Sequence, residues 1–289
     1  MSTNHLDDEP EFLMTDKNFE YIRTLAYQQT GIVLPERKKH MVYSRLCRRL
    51  RVLGHNDFGE YCQTLEHNND ELPNFINALT TNLTSFFRER HHFDFLNDVV
   101  MDQWRKQGKK RIRIWSSACS TGEEPYSIAM TLQPMLAQAQ LDIKILATDL
   151  DTNVLAKAQA GIYPKDNLEH IANDMQKSCI NLLGNQFEIK PLIKNHIHFK
   201  QLNLLQSWPM KGSFDVIFCR NVMIYFDAET RKKIIARFRQ LLSNDGYLII
   251  GHSETLHHIS DEFVLIGHTI YRPKTHTTHS LSQFGTEGK

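Results

Sequence analysis

Two adjacent carboxylates, Glu123 and Glu124, follow a run of small residues, Ser117-Ala118-Cys119-Ser120-Thr121-Gly122. Small residues let a ligand approach the backbone, and Gly122 removes a Cβ where crowding would be greatest. The spacing is not GxGxxG, and two carboxylates opening a helix would repel a diphosphate. They suit a ligand with an ammonium group, such as the methionyl end of S-adenosylmethionine. The same pair also serves as favourable charge at a helix N-terminus, and spacing alone does not separate the two readings. A second acidic position follows about 25–30 residues later, at Asp149 and Asp151 in ATDLD. An acidic residue there holds ribose hydroxyls in nucleoside sites. Asp149 is the better placed, and Asp151 reads as the cap of the next helix. Asn221, in CRNVMIY, is either a third ligand contact or a loop-stabilising amide.

These groups need strand ends to bring them together. Arg111–Ser116, Ile143–Thr148, His196–Lys200, Phe214–Cys219 and Tyr247–Gly251 read as β-branched or aromatic strands. Helical patterns over Gly122–Gln138, Thr152–Ala160 and Ala228–Leu242 separate them. Alternation of this kind predicts a mostly parallel sheet covered on both faces. Such sheets bind ligands beyond the strands' carboxyl ends, where strand order reverses. Phe263–Arg272 adds two short strands, with Thr269–Arg272 antiparallel to Tyr247–Gly251. The stretch from Gly161 to Asn195 breaks the pattern with Pro164, Gly184 and Pro191, and reads as an inserted subdomain with a hairpin near Leu182–Ile189.

The N-terminal part is helical. Asp16 is the expected N-cap of a helix with Phe19, Ile22, Leu25 and Ala26 on one face, stopped by Gly31. Pro35 opens a second helix, with Met41, Leu46, Leu50 and Leu53 as its apolar face and Gly54 at its end. Short helices follow near Phe58–Leu65 and Glu71–Leu79. The second helix carries Arg37, Lys38, Lys39, Arg45, Arg48, Arg49 and Arg51 against Glu36 alone, although the whole chain has net charge +1. A global polyelectrolyte partner is therefore not implied.

Apolar residues make up 41% and charged residues 23%, as in soluble globular proteins. No apolar run nears the roughly 20 residues that cross a bilayer, and the acidic start MSTNHLDDEPEF is unlike a signal peptide. The five cysteines lack CxxC spacing, and the histidines, including His91-His92, lack ligand spacing, so no disulfide framework or metal site is expected. Reduced thiols point to a cytoplasmic protein.

Four blocks together resemble the CheR family, the chemotaxis receptor glutamate O-methyltransferases. They are TTNLTSFFRE (Thr80–Glu89), WSSACSTGEEPYSIA (Trp115–Ala129), ATDLDTNVLAKAQAGIYP (Ala147–Pro164), and FDVIFCRNVMIYFD with GHSETL (Phe214–Asp227, Gly251–Leu256). They occur in order between Asp16 and Arg272. The resemblance implies an α/β fold: a Rossmann-like S-adenosylmethionine methyltransferase domain with a small antiparallel β subdomain insertion, preceded by an all-α N-terminal domain. The expected boundaries are 16–90 for the helical domain and 91–273 for the methyltransferase domain, with the insertion at about 162–198. Residues 1–15 and 274–289 are expected to be disordered. The cofactor implied is S-adenosyl-L-methionine, with S-adenosyl-L-homocysteine as product. The family's cofactor contacts fall on Asn82, Thr84, Arg88, Glu123, Glu124, Asp149, Asn203, Leu204, Asn221 and Val222. Arg88 would face the methionine carboxylate and Asp149 the ribose, with Asn203 and Asn221 near the adenine and the transfer centre.

The implied reaction esterifies glutamate side chains on a receptor. Glutamate is already ionised near pH 7, so no single acid or base is expected, and positioning and desolvation should dominate. Arg220 and Tyr225 are candidates for orienting the acceptor carboxylate. Arg37, Lys38, Arg45, Arg48, Arg49 and Arg51 are candidates for recognising an acidic receptor bundle, against a solvated helix face or a nucleic-acid patch. The expected partner is the cytoplasmic helical bundle of methyl-accepting receptors, bound by a monomer, with no nucleic acid and no membrane insertion. Family members that dock a receptor C-terminal peptide carry a longer glycine-rich hairpin loop. INLLGNQFEIKPL has only Gly184, so tethering is not expected.

Overall fold

The computed structural model describes residues 10–274. The expected disordered ends lie largely outside them; residues 10–15 and Lys274 do not, and Phe12 and Lys274 are bonded to the fold. The Phe12 N–H donates to the Tyr43 hydroxyl at 3.0 Å, and Lys274 donates to the Glu262 carbonyl at 2.8 Å. Phe12 is buried, which ties the segment to the helical unit.

Four helices form that unit: α1 (Asp16–Thr30), α2 (Lys39–Leu53), α3 (Phe58–His67) and α4 (Leu72–Leu79). Thr15, not Asp16, caps α1. Its hydroxyl accepts the Asn18 N–H while the Asn18 side chain accepts the Thr15 N–H, which satisfies two end donors reciprocally. Asp16 instead pairs with Lys39. Gly31 and Gly54 end α1 and α2 in left-handed conformation. The helix α2 begins after a 3-10 turn, Glu36–Lys38; its buried stripe is Val42, Leu46, Cys47 and Leu50, and Leu53, its last residue, is exposed. The core of this unit runs from Phe12 to Leu79, whereas Phe86 and Phe87 pack with the sheet.

The remaining chain builds a seven-stranded sheet in the order β6-β2-β1-β7-β8-β10-β9. Its strands are β1 (Arg111–Ser116), β2 (Asp142–Asp149), β6 (Ile197–Gln201), β7 (Phe214–Cys219), β8 (Leu242–Ile250), β9 (Phe263–Gly267) and β10 (Ile270–Pro273). The first five run parallel, and β10 is antiparallel to both β8 and β9. All six residues of β7 are buried, as a strand covered on both faces requires. The chain steps outward from β1 to β2 to β6, then returns to β7 on the other side of β1. The reversal therefore falls between β1 and β7. A separate three-stranded antiparallel sheet, β3 (Ile162–Pro164), β5 (Gln186–Ile189) and β4 (Ile180–Leu183), forms the insertion. Its core residues Tyr163 and Phe187 join the main core through Phe86. The expected helix over Gly122–Gln138 is two pieces, Glu123–Thr131 and Gln133–Leu136, because Pro134 lacks the N–H that would continue the ladder.

Candidate active site

A pocket opens beyond the carboxyl ends of β1, β2 and β7. Its floor is Ser117, Ala118 and Ser120 after β1, Asp149 and Leu150 after β2, and Arg220 to Val222 after β7. The helical unit roofs it with Thr30, Ile32, Lys38 and Met41, and the segment Thr80–Thr84 closes one side. Asn82, Thr84, Arg88, Glu124, Asp149, Asn203, Leu204, Asn221, Val222, Arg220, Tyr225 and Lys38 all line it.

Glu123 does not. Its carboxylate turns back to the Thr121 hydroxyl at 2.7 Å, so the pair of glutamates divides: Glu123 acts at the helix start and Glu124 faces the pocket. Periodicity explains the split, since consecutive helical residues point about 100° apart.

Asp149 is held by two backbone donors, Ser120 N–H at 2.8 Å and Asp151 N–H at 3.0 Å. Burial pushes its carboxyl up, and these donors oppose that shift. Asn82 donates to the Asp151 carboxylate at 2.8 Å. Asn203 spends its amide on the Gln29 carbonyl at 2.7 Å and the Leu205 N–H at 2.9 Å, so it joins α1 to the loop after β6. Arg88 donates one amino group to the Leu83 carbonyl at 2.8 Å.

Arg220 is buried. One amino group meets Glu124 at 2.9 Å; the other reaches the Arg88 carbonyl and stands 3.4 Å from the Glu89 carboxylate. Burial pushes the Glu124 carboxyl up, while the Arg220 charge and the Ser116 hydroxyl at 2.7 Å hold it down. The expectation that Arg220 orients an acceptor is therefore corrected: its guanidinium is committed to the pocket wall. Tyr225 remains available at the pocket edge, with the Lys38 ammonium 5.4 Å from its ring centre.

Together these groups offer carboxylates for a cation and hydroxyls, a guanidinium for a carboxylate, and apolar Leu150, Leu202, Leu204 and Val222 for a flat ring. This donor set fits S-adenosylmethionine. Residues 82–272 match the CheR methyltransferase, SAM binding domain, and residues 17–80 match the CheR methyltransferase, all-alpha domain.

The chain belongs to the CheR family. It is 46% identical over 265 residues to the chemotaxis protein methyltransferase of Escherichia coli, covering 89% of this chain and 91% of that protein. It is 43% identical to chemotaxis protein methyltransferase 2 of Pseudomonas aeruginosa, covering 91% and 95%. The chemotaxis protein methyltransferase of Borreliella burgdorferi is 40% identical, with 89% and 94% covered. This chain is accordingly an S-adenosylmethionine-dependent chemotaxis protein methyltransferase. Among the described residues no helix is long and apolar enough to cross a membrane.

Several residues organise this CheR site beyond any role read from the sequence. Asp151 does more than cap its helix: one oxygen accepts the Asn153 N–H at 2.8 Å, and the other accepts Thr80 at 2.7 Å and Asn82. It thereby moors the 80–84 segment to the end of β2. Glu254 is buried and accepts the N–H groups of Gly251 (2.7 Å), Met223 (2.8 Å) and Asn221 (2.9 Å), which shapes the loop after β7. Both Glu254 and Glu89 lay inside the blocks that carry the resemblance. A loop carboxylate has no periodicity, so its backbone partners were not legible.

The basic helix also resolves differently. Arg49 is paired bidentately with buried Glu71 at 2.8 and 2.7 Å, and Arg51 pairs with Glu11. Arg45 donates to the carbonyls of Leu79 and Thr80, both at 2.8 Å, and to the Thr81 hydroxyl at 3.0 Å, so it anchors the side of the pocket. Arg45 and Arg49 are corrected from surface recognition to internal fastening, because each meets an acceptor from a neighbouring element, whereas Arg51, with its side chain 57% exposed, pairs with Glu11 on the surface. Arg37 and Arg48 are exposed, and Lys38 reaches the pocket.

Glu89, His91 and His92 bring a carboxylate and two imidazoles within 4.8 Å. The Glu89 carboxylate is already engaged by His252 and Arg220. Burial pushes His92 down to about 3, so its ring is neutral, and its Nε2 lies 2.9 Å from the His268 carbonyl.

Proposed function

We propose that the acceptor is the side-chain carboxylate of glutamate in the cytoplasmic helical bundle of a chemotaxis receptor, and that the product is its methyl ester. The observation that carries this reading is the composition of the pocket: among the described residues its ionisable lining is Lys38, Arg88, Arg220, Glu124, Asp149 and Tyr225, with no imidazole or thiol. An amine or hydroxyl acceptor needs a base to take its proton, and the two carboxylates that line the pocket are already engaged, Glu124 by Arg220 and Ser116 and Asp149 by two backbone N–H groups. A carboxylate needs none, and it is drawn to cations at the mouth.

In this reading the chain's residues bind and orient. Arg88 pairs with the methionine carboxylate of the cofactor, Glu124 takes the ammonium and Asp149 the ribose. Asn82, Thr84, Asn221, Val222 and Leu204 complete the enclosure, and Asn203 acts through the loop it ties down. The cofactor supplies an electrophilic methyl group when bound. Tyr225 and Lys38 place the incoming carboxylate, and the helical roof excludes water from it. Arg37 and Arg48, exposed on the turn before α2 and on α2 itself, meet an acidic bundle.

Tether independence is part of the same proposal. The hairpin between β4 and β5 turns through Gly184 and Asn185 alone, with Gly184 at φ 59°, and offers no extended loop for a peptide. The deciding assay uses radiolabelled S-adenosylmethionine and a receptor cytoplasmic fragment lacking its C-terminal tail. Label on protein that mild base releases as methanol supports the reading. Base-stable label, or label only when the tail is present, refutes the acceptor or the tether independence respectively.

A further inference from the structure

Glu89 is absent from the pocket lining, yet it lies directly behind it, with a side chain only 10% exposed. Its backbone is in the left-handed region at φ 58°, which a non-glycine residue adopts only when its surroundings enforce it. One carboxylate oxygen accepts His252 Nδ1 at 2.8 Å and the Asn221 amide at 3.4 Å. The other accepts the His252 N–H at 3.1 Å and faces Arg220 at 3.4 Å. Arg220 meets Glu124 on its other side at 2.9 Å. A single buried guanidinium is thus held between two carboxylates, one in the pocket wall and one behind it.

Charge counting gives this arrangement a consequence. Arg220 with Glu124 alone would be neutral, whereas with Glu89, and with the neighbouring imidazoles of His92 and His252 uncharged, the wall carries one net negative charge. Lys38 and Arg88 also line the pocket, against Asp149. Without Glu89 the lining would have an excess cation facing a ligand that is itself a sulfonium. S-adenosylmethionine and S-adenosylhomocysteine differ by one methyl group and one positive charge at sulfur, so only the first feels this balance strongly.

We propose that Glu89 is the carboxylate that makes the Arg220–Glu124 wall net negative and so raises the pocket's affinity for the charged sulfonium relative to its affinity for the neutral thioether product. This rests on the cofactor and not on the identity of the acceptor. Burial pushes the Glu89 carboxyl up, but the His252 hydrogen bond and the Arg220 charge outweigh it and bring it down to about 2. Glu89 is therefore ionised under all working conditions. Held mainly by side chains from other loops, it acts at one remove, as a positioning and charge-setting residue.

The test is calorimetry on the full chain with each ligand separately. Glu89→Gln keeps the shape and removes the charge. Its affinity for S-adenosylmethionine should fall by about fivefold or more relative to its affinity for S-adenosylhomocysteine. Glu89→Asp keeps the charge and should preserve the ratio even if both affinities drop. His252→Ala removes the most exposed partner without removing the carboxylate, and should also preserve it. Should Glu89→Gln melt prematurely, the Glu89→Asp and Glu89→Asn pair reads the same ratio. A Glu89→Gln protein that loses affinity for both ligands equally, or for neither, overturns the proposal and leaves Glu89 a structural latch.

Discussion

The Arg220 guanidinium and the Glu124 carboxylate stand 2.9 Å apart with side chains 3% and 10% exposed, although 96 residues separate them in the chain. Removing one partner of such a buried pair leaves an uncompensated charge. Arg220→Ala should therefore lose about 3–5 kcal/mol in urea unfolding, and cofactor binding should weaken with it. Arg220→Lys should recover only part, since a single ammonium cannot reach Glu124, Glu89 and the Arg88 carbonyl together. Wild-type stability in Arg220→Ala would refute the role given to this pair.

Acid should destabilise the protein before its carboxylates titrate. His92 is neutral in the folded state down to about pH 3, whereas an unfolded histidine takes a proton near 6.5. The folded state thus binds fewer protons, and stability is lost as pH falls from about 6.5 toward 3. At pH 5 the loss from this residue should be about 2 kcal/mol. Urea titrations of wild type and His92→Phe at pH 7.5 and pH 5 would measure it. The variant, less stable at neutral pH, should show a shallower pH dependence, and equal slopes would contradict the assignment.

Charge reversals on the basic face should separate into two kinds. Arg49→Glu breaks the bidentate pair with buried Glu71. It should destabilise the helical unit by at least about 1–3 kcal/mol. Arg48→Glu touches an exposed side chain and should leave the unfolding free energy within the usual surface range of about ±0.5 kcal/mol. Its effect should appear as weaker receptor binding with a reduced salt dependence. Salt-insensitive binding by wild type would remove the electrostatic account.

Gly122→Ala should be poorly tolerated. Gly122 sits at φ 99°, and a Cβ there would lie 2.8 Å from the Tyr163 hydroxyl and 2.9 Å from the Ala158 Cβ. Left-handed strain and overpacking together should cost about 2–4 kcal/mol. Thermal unfolding monitored by circular dichroism gives the value directly, and a shift of less than a degree would contradict it.

Much of this was legible in the residues themselves. Strand β1 and the helix Thr152–Ala160 follow from β-branched runs and caps that are local. The small-residue loop and the acidic end of β2 identified a nucleoside-type site, because parallel strands deliver their ligand groups at the carboxyl ends. The ordered blocks narrowed it to one cofactor.

Tertiary structure decided which charges are free. Glu123 and Glu124 are adjacent and chemically identical, and only the helix phase turns one into the pocket. Arg45, Arg48 and Arg49 read as one basic stripe. The packing of α4 against α2 gives Arg49 a buried carboxylate and Arg45 a set of carbonyls, and leaves Arg48 in water. Arg220 read as a group that could orient the acceptor carboxylate, and it is the buried link between Glu89 and Glu124. Sequence fixes a side chain's chemistry and its phase along one element. Whether its charge is spent inside or offered outside depends on groups that lie far away in the chain.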